Sequence, residues 1–281
     1  MNEVIFCGFG ALGQSCLTEL IKSGLKVTHV LTHKELKSDS VDTLALENNI
    51  PFYYSDLRKD QILLDELKSK KNKYLISVNY RYIIPMQLLK SAEYPLNIHG
   101  SLLPKYRGRA PHIWAIINGE AFTGVTCHIM EVTVDTGPIY SQIKIPISAD
   151  TTGNDIINEF KEIYPKVLRE TLEKIANGYS PIPQMEEDAT YFGKRIPEMG
   201  YIDILKSKKS IINFVRAQTR PYPGAYYFLP TGEKIIIYKI SEFNSNEYKN
   251  TLSLGSVIKF NESYLLAVSD GILMIKEYEI T

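Results

Sequence analysis

Apolar and polar positions in the first half of the chain follow two alternating periods. Short apolar runs at Glu3–Cys7, Lys26–Leu31, residues 51–54, Tyr74–Asn79 and the YPLNIH stretch ending at His99 have the length and composition of buried strands. Between them lie segments of helical period. The first runs to about Ser23, with Leu17, Leu20 and Ile21 on one face, and is followed by Val41–Asn48 and the lysine-rich Asp60–Lys71. Strand and helix alternating at this spacing predict an α/β fold with a doubly wound, mostly parallel sheet of Rossmann-like type. The pattern continues with a helix over Pro111–Asn118 and strands over Thr123–Glu131 and Pro138–Ile145. A long helix over Thr151–Gly178 follows, its start marked by Asp150-Thr151-Thr152 with Asp155 in the first turn.

The pattern then changes. NGYSPIPQMEEDAT, with Pro181 and Pro183 among polar residues, reads as a boundary. A helix over Ser207–Thr219 and the turn Arg220–Ala225 lead into five β-patterned runs: Ala225–Leu229, Lys234–Ser241, Leu252–Ile258, Tyr264–Val268 and Ile272–Tyr278. Thr231-Gly232, Asn261-Glu262 and Asp270-Gly271 supply hairpin signals between them. The expected organisation is a catalytic domain over 1–185, a linker and helix over 186–223, and a small antiparallel barrel-like domain over 224–281.

Charge narrows the field of partners. Lys plus Arg and Asp plus Glu each number 32, so the net charge is zero. That argues against broad electrostatic capture of nucleic acid or an anionic membrane surface. Cys7, Cys16 and Cys127 stand at unrelated spacings in apolar surroundings, which predicts free thiols rather than a disulfide framework or zinc site. No apolar run reaches the roughly 18 residues of a membrane span, and the N-terminus enters a strand at once. A cytoplasmic protein is expected.

Two stretches carry candidate chemistry. Gly8–Gly13 reads GFGALG, a literal G-x-G-x-x-G between strand and helix. A dinucleotide site would also want an acid at the end of the next strand. That strand ends in Thr32-His33-Lys34, and Glu35 lies past it, so tight strand-to-helix packing explains the glycines equally well. The second stretch is Pro95–Gln142. Asn97 and His99, two apart at a strand end, point to one face. The chain then turns through Gly100 and Pro104, crosses the basic loop Lys105–Arg109, and places Asp135 on the turn between two strands. His99 and His128 lack metal-ligand spacing and no carboxylate cluster accompanies them, so no metal is expected. His29, His33 and His112 read as surface or helix-start histidines.

The Asn-x-His pair, HGSLLPKYRGRAP and VDTG together resemble the N10-formyltetrahydrofolate-dependent formyltransferases. The branch that formylates nucleotide-linked amino sugars is the most similar. The resemblance is strongest over 95–140, clear again over 190–228, and weak in the first 80 residues and the last 50. It implies N10-formyltetrahydrofolate as formyl donor. It makes His99 the acid/base group, Asp135 the partner that orients the ring and holds its pKa up, and Asn97 the donor to the tetrahedral oxyanion. It further implies folate contacts from Tyr82, Ile83, Ile84, Arg109, Glu131, Val132, Thr133 and Val134. Lys194 and Arg195, with Ser101, are candidate substrate contacts, the two cations suiting a diphosphate.

Within the family, a tRNA acceptor implies a basic channel and a long basic insertion after the second strand. Here that loop is THKELKSDSVD, three lysines against Glu35, Asp39 and Asp42. The purine-pathway branch implies a single domain. The expected substrate is therefore a dTDP- or UDP-linked amino-deoxy sugar, destined for surface polysaccharide such as O-antigen. A homodimer is expected from the exposed barrel edge. Methionyl-tRNA formylation, and in another class an NAD-dependent oxidoreductase, are the alternatives.

Overall fold

The computed structural model describes residues 3–70, 72–244, 248 and 252–281. Lys71, the last residue of the predicted third helix, lies outside them. The chain forms two compact units, one of Met1–Gly108, Gly124–Ile145 and Glu159–Tyr191, the other of Arg109–Thr123, Pro146–Asn158 and Phe192–Thr281.

A seven-stranded sheet contains β1 (Glu3–Gly8), β2 (Lys26–Leu31), β3 (Phe52–Tyr53), β4 (Asn72–Val78), β5 (Ala92–His99), β6 (Phe122–Ile129) and β7 (Ile139–Pro146). Its order is β3-β2-β1-β4-β5-β6-β7. The pairs from β3 to β5 are parallel, and β6 runs antiparallel to β5. This is the doubly wound, mostly parallel sheet that the apolar runs predict. Helices α1 (Gly10–Lys22), α2 (Val41–Glu47) and α3 (Gln61–Ser69) form the crossovers. Leu63, Leu64 and Leu67 of α3 are buried with Ile5, Leu31 and Leu75 of the strands in one apolar cluster. Such burial is the main force holding a short helix to a sheet. A single turn, α4 (Met86–Leu89), begins after Pro85.

In GFGALG, Gly10 takes a left-handed φ of 65°. A Cβ on Gly13 would lie 2.9 Å from Val41 Cγ2 and 3.1 Å from the Gly8 carbonyl carbon, so close strand-to-helix approach accounts for that glycine. The first buried acid after β2 is Asp42. Its carboxylate accepts from the Glu35, Leu36 and Thr43 N–H groups and the Tyr54 hydroxyl, fixing the loop ahead of α2.

The second unit includes α5 (Pro111–Ile117). Helix α6 (Gly153–Ala176) begins in this unit, and its later residues belong to the first. After α7 (Lys208–Ala217) comes an antiparallel sheet of β8 (Ala225–Phe228), β9 (Lys234–Phe243), β10 (Val257–Phe260), β11 (Ser263–Val268) and β12 (Gly271–Ile280), in the order β8-β9-β12-β11-β10. Ile211 and Val215 of α7 pack with Ile235, Ile237, Leu266 and Ile275. The run predicted as a strand from Leu252 starts only at Val257, because Gly255 turns the chain at φ 81°. No helix among the described residues is long and apolar enough to cross a membrane.

Candidate active site

Three segments of the first unit meet at the carboxyl end of β5. The strand itself brings Asn97 and His99. Its antiparallel pairing with β6 sets His128 opposite Asn97. The turn after β6 returns Asp135, in a left-handed conformation with φ 60°. His99, His128 and Asp135 are all buried, although each is ionisable. Buried polar groups of this kind need partners, and these have them.

His99 Nε2 lies 2.8 Å from the Tyr106 carbonyl oxygen. A carbonyl only accepts, so Nε2 carries the hydrogen and the neutral ring keeps its lone pair on Nδ1. That atom faces Asp135 Oδ2 at 3.5 Å. The same carboxylate oxygen accepts from the Gly108 N–H at 2.9 Å. Burial works to raise the Asp135 carboxyl, but the His99 and His128 rings and the Gly108 N–H overcome it and hold the group at about 2. Asp135 is thus an anion throughout the physiological range.

For His99 the balance runs the other way. Burial lowers the imidazole below its ordinary value, and the Asp135 charge and the Tyr106 carbonyl offset this only in part. Asp135 does work to hold the ring's pKa up, as expected, but desolvation of the cation outweighs the single facing anion, so the net shift is downward. Ring orientation is likewise set by the Tyr106 carbonyl more than by Asp135.

His128 is a site residue that sequence reasoning passed over. Its Nδ1 lies 2.7 Å from the Ile129 carbonyl oxygen and donates to it, which leaves Nε2 between Asn97 Nδ2 at 3.2 Å and Asp135 Oδ1 at 3.6 Å. Asn97 Nδ2 also makes a long contact of 3.5 Å to Asp135 Oδ1. The amide N–H groups thereby aim into the cluster. Only knowledge of the β5–β6 register, which places the two residues opposite each other, could have marked His128 in advance.

The other predicted residues fall in different places. Met86, Leu89, Pro95, Met130 and the exposed Glu131, Val132 and Thr133 line a cavity of about 520 Å³. Val134 is exposed on the same turn. Tyr82 packs its ring on His33 (centroids 4.6 Å apart), Ile83 is exposed, and Ile84 packs against the β-sheet cluster. None of these three lines the cavity.

Ser101 is 1 % exposed and its hydroxyl donates to the Lys105 carbonyl at 2.7 Å, so it closes the loop and does not offer its side chain to a substrate. In the second unit, Arg109 and Lys194 are exposed. Arg195 instead stacks on Trp114 (4.8 Å) and Phe214 (5.3 Å) and donates to the Met199 carbonyl and Gln218. The expectation of surface histidines fails for His29, which is 5 % exposed and bonded to Thr28 and Lys70. His33 lies among Phe9, Tyr80 and Tyr82. His112 starts α5 as expected. It is buried against the Tyr222 hydroxyl, and burial lowers it to about 4.

An amide donor, an imidazole with one free nitrogen and a carboxylate anion can together take a proton from an amine and stabilise charge on oxygen. Comparison with known proteins finds relatives along nearly the whole chain. The bifunctional polymyxin resistance protein ArnA of Wigglesworthia glossinidia brevipalpis is 36% identical over 271 residues, covering 93% of this chain; the chain spans only 40% of that protein's length. The methionyl-tRNA formyltransferase of Clostridioides difficile is 30% identical over 289 residues, covering 99% of this chain and 92% of the relative. Among solved structures, the N-formyltransferase of Helicobacter canadensis, in complex with folinic acid and dTDP-3-aminofucose, superposes with a TM-score of 0.79 at 21% identity. That match covers 99% of this chain and 100% of the other. Residues 1–172 match the formyl transferase family and residues 195–281 its C-terminal domain, so this chain belongs to the formyl transferase family.

Proposed function

We propose that this formyltransferase moves the formyl group of N10-formyltetrahydrofolate to the amino group of a nucleotide-linked, dTDP- or UDP-, amino-deoxy sugar. The observation that carries the reading is His99, whose Nε2–H is committed to the Tyr106 carbonyl while Nδ1 faces ionised Asp135. Nδ1 accepts the proton shed by the acceptor amine as the new C–N bond forms. Asp135 steadies the resulting imidazolium. His99 then returns the proton to the folate nitrogen as the old C–N bond breaks, so the proton balance closes within one residue. Asn97 exchanges its long contact to Asp135 for one to the developing oxyanion. The cavity beside Glu131–Thr133 suits the formyl carrier.

A sugar acceptor is favoured over tRNA by the zero net charge and by the short loop ahead of α2, which Asp42 ties down, since a tRNA calls for several phosphate-neutralising cations. The folate and dTDP-aminosugar complex of the Helicobacter relative supports the same choice. In this reading the enzyme is a cytoplasmic homodimer serving surface-polysaccharide synthesis.

The test is to incubate the protein with N10-formyltetrahydrofolate and either a panel of dTDP- and UDP-linked amino sugars or charged initiator tRNA, following tetrahydrofolate release. Release with a sugar supports the proposal. Release with tRNA alone replaces the acceptor, and release with neither removes the function.

A further inference from the structure

We propose that Arg107 and Gln184 are positioning residues, which fix the backbone of Asp135 so that its carboxylate meets His99. The inference rests on the reading of His99 and Asp135 as the pair that handles the proton.

Asp135 holds a left-handed backbone, which Asp tolerates better than most L-residues but which still costs free energy, so a tie from outside the turn steadies it. Gln184 supplies that tie. Its Nε2 donates to the Asp135 carbonyl at 2.9 Å and to the Gly137 carbonyl at 2.7 Å, gathering both sides of the turn onto one amide. An amide can serve two carbonyls in this way only if its own orientation is fixed. Gln184 Oε1 accepts from Arg107 Nε at 3.2 Å and Nη2 at 2.9 Å. A guanidinium only donates and carbonyls only accept, so this side chain has a single consistent orientation.

Arg107 is in turn placed with unusual completeness. It is 1 % exposed, and its Nη1 reaches both oxygens of the Glu186 carboxylate (3.0 and 2.8 Å) and the Tyr191 hydroxyl. Its N–H donates to the Thr190 carbonyl at 2.9 Å. Its chain neighbours complete the arrangement. The Tyr106 carbonyl receives His99 Nε2–H, and the Gly108 N–H reaches Asp135 Oδ2. Three consecutive residues therefore contact His99 directly, the Asp135 carboxylate directly and the Asp135 backbone through Gln184. A buried cation serving only to anchor the 184–191 segment would not need this link to the turn.

Gln184→Glu separates the two roles. It keeps an acceptor for Arg107 but removes both donated bonds and sets an oxygen against two carbonyls. We expect kcat to fall at least about tenfold, with KM for both substrates within about twofold. The groups facing the proton site are Asp135, His128 from β6 and the Tyr106 carbonyl around His99, with Tyr164 of α6 within reach of the Asp135 charge. With Asp135 loosened, burial acts on His99 less opposed. Its ring titration, followed by NMR without substrate in the folded Gln184→Met protein, which adds no charge of its own, therefore moves to lower pH, and the acid limb of kcat moves with it. Should Gln184→Glu not fold, kcat of the nearly isosteric Gln184→Met is read the same way. Unchanged kcat and unchanged His99 titration in folded Gln184→Met overturn the proposal. A wild-type protein that transfers no formyl group fails the proposed function instead, and the NMR titration still decides this inference.

Discussion

Burial and charge pull His99 in opposite directions, and burial prevails. The ring is therefore a neutral base at pH 7, and activity should hold as pH falls until it passes below the ordinary histidine value of about 6.5. Asp135→Asn removes the anion that partly offsets burial. The acid limb of kcat should then move further down in pH, while kcat itself drops by about 10² or more because the imidazolium loses its partner. An acid limb that moves up, measured as tetrahydrofolate release across pH 4 to 8, contradicts this balance of effects. Asn97→Ala removes the side-chain amide donor of the cluster and should lower kcat by about 10² to 10³. His128→Ala frees Asn97 from its 3.2 Å partner and should lower kcat by less than Asn97→Ala does. Steady-state kinetics of the two variants, side by side, checks that order.

The turn between β6 and β7 is the element on which the site depends most closely. A Cβ on Gly137 would stand 2.0 Å from the Ile129 carbonyl oxygen, a backbone atom that moves only if the hairpin opens. Gly137→Ala should therefore cost roughly 1–3 kcal/mol in stability and displace Asp135, lowering kcat in the folded fraction. Denaturant unfolding and turnover on the same sample test both effects. Elements like this show what the chain makes legible. Apolar period alone predicts β2 as Lys26–Leu31, and that is where it lies. The spacing of Asn97 and His99 on one strand gives their shared face, and motif resemblance supplies Asp135. What sequence conceals here is backbone chemistry. The Tyr106 carbonyl and the Gly108 N–H act through atoms that every residue has, so no residue type announces them. Arg107 looks like one more cation of a solvated basic loop, yet it is among the most buried side chains of the molecule. The one-turn α4 and the late start of β10 were missed for a simpler reason. A single turn has too few positions to show a period, and Gly255 breaks an apolar run without interrupting its composition.

Across the whole molecule, charge is balanced while individual carboxylates are not ordinary. Asp42, which burial alone would raise, is brought to about 2 by its backbone and hydroxyl donors, and Asp135 is held equally low. Both have folded values below the unfolded value of about 3.9. Their stabilisation is thus complete above about pH 4 and is lost as pH falls towards 2. Acid unfolding followed by circular dichroism should begin in that window, and Asp42→Asn should flatten the transition there. A stability profile that is level from pH 5 to 2 contradicts the assignment. The short, Asp42-tied loop and zero net charge bear on the acceptor at the same scale. Turnover with a nucleotide-linked sugar should change little between low and moderate salt, whereas a polyphosphate partner would show a steep salt slope.

The most direct measurement is turnover of His99→Asn beside wild type, with folate affinity determined on the same preparations. With His99 as the base that takes the proton from the acceptor amine, the variant loses at least about 10³ in kcat and keeps its folate dissociation constant within about threefold. Near wild-type turnover by a folded His99→Asn protein would contradict the account, because the proton is assigned to Nδ1 of this ring, which faces Asp135.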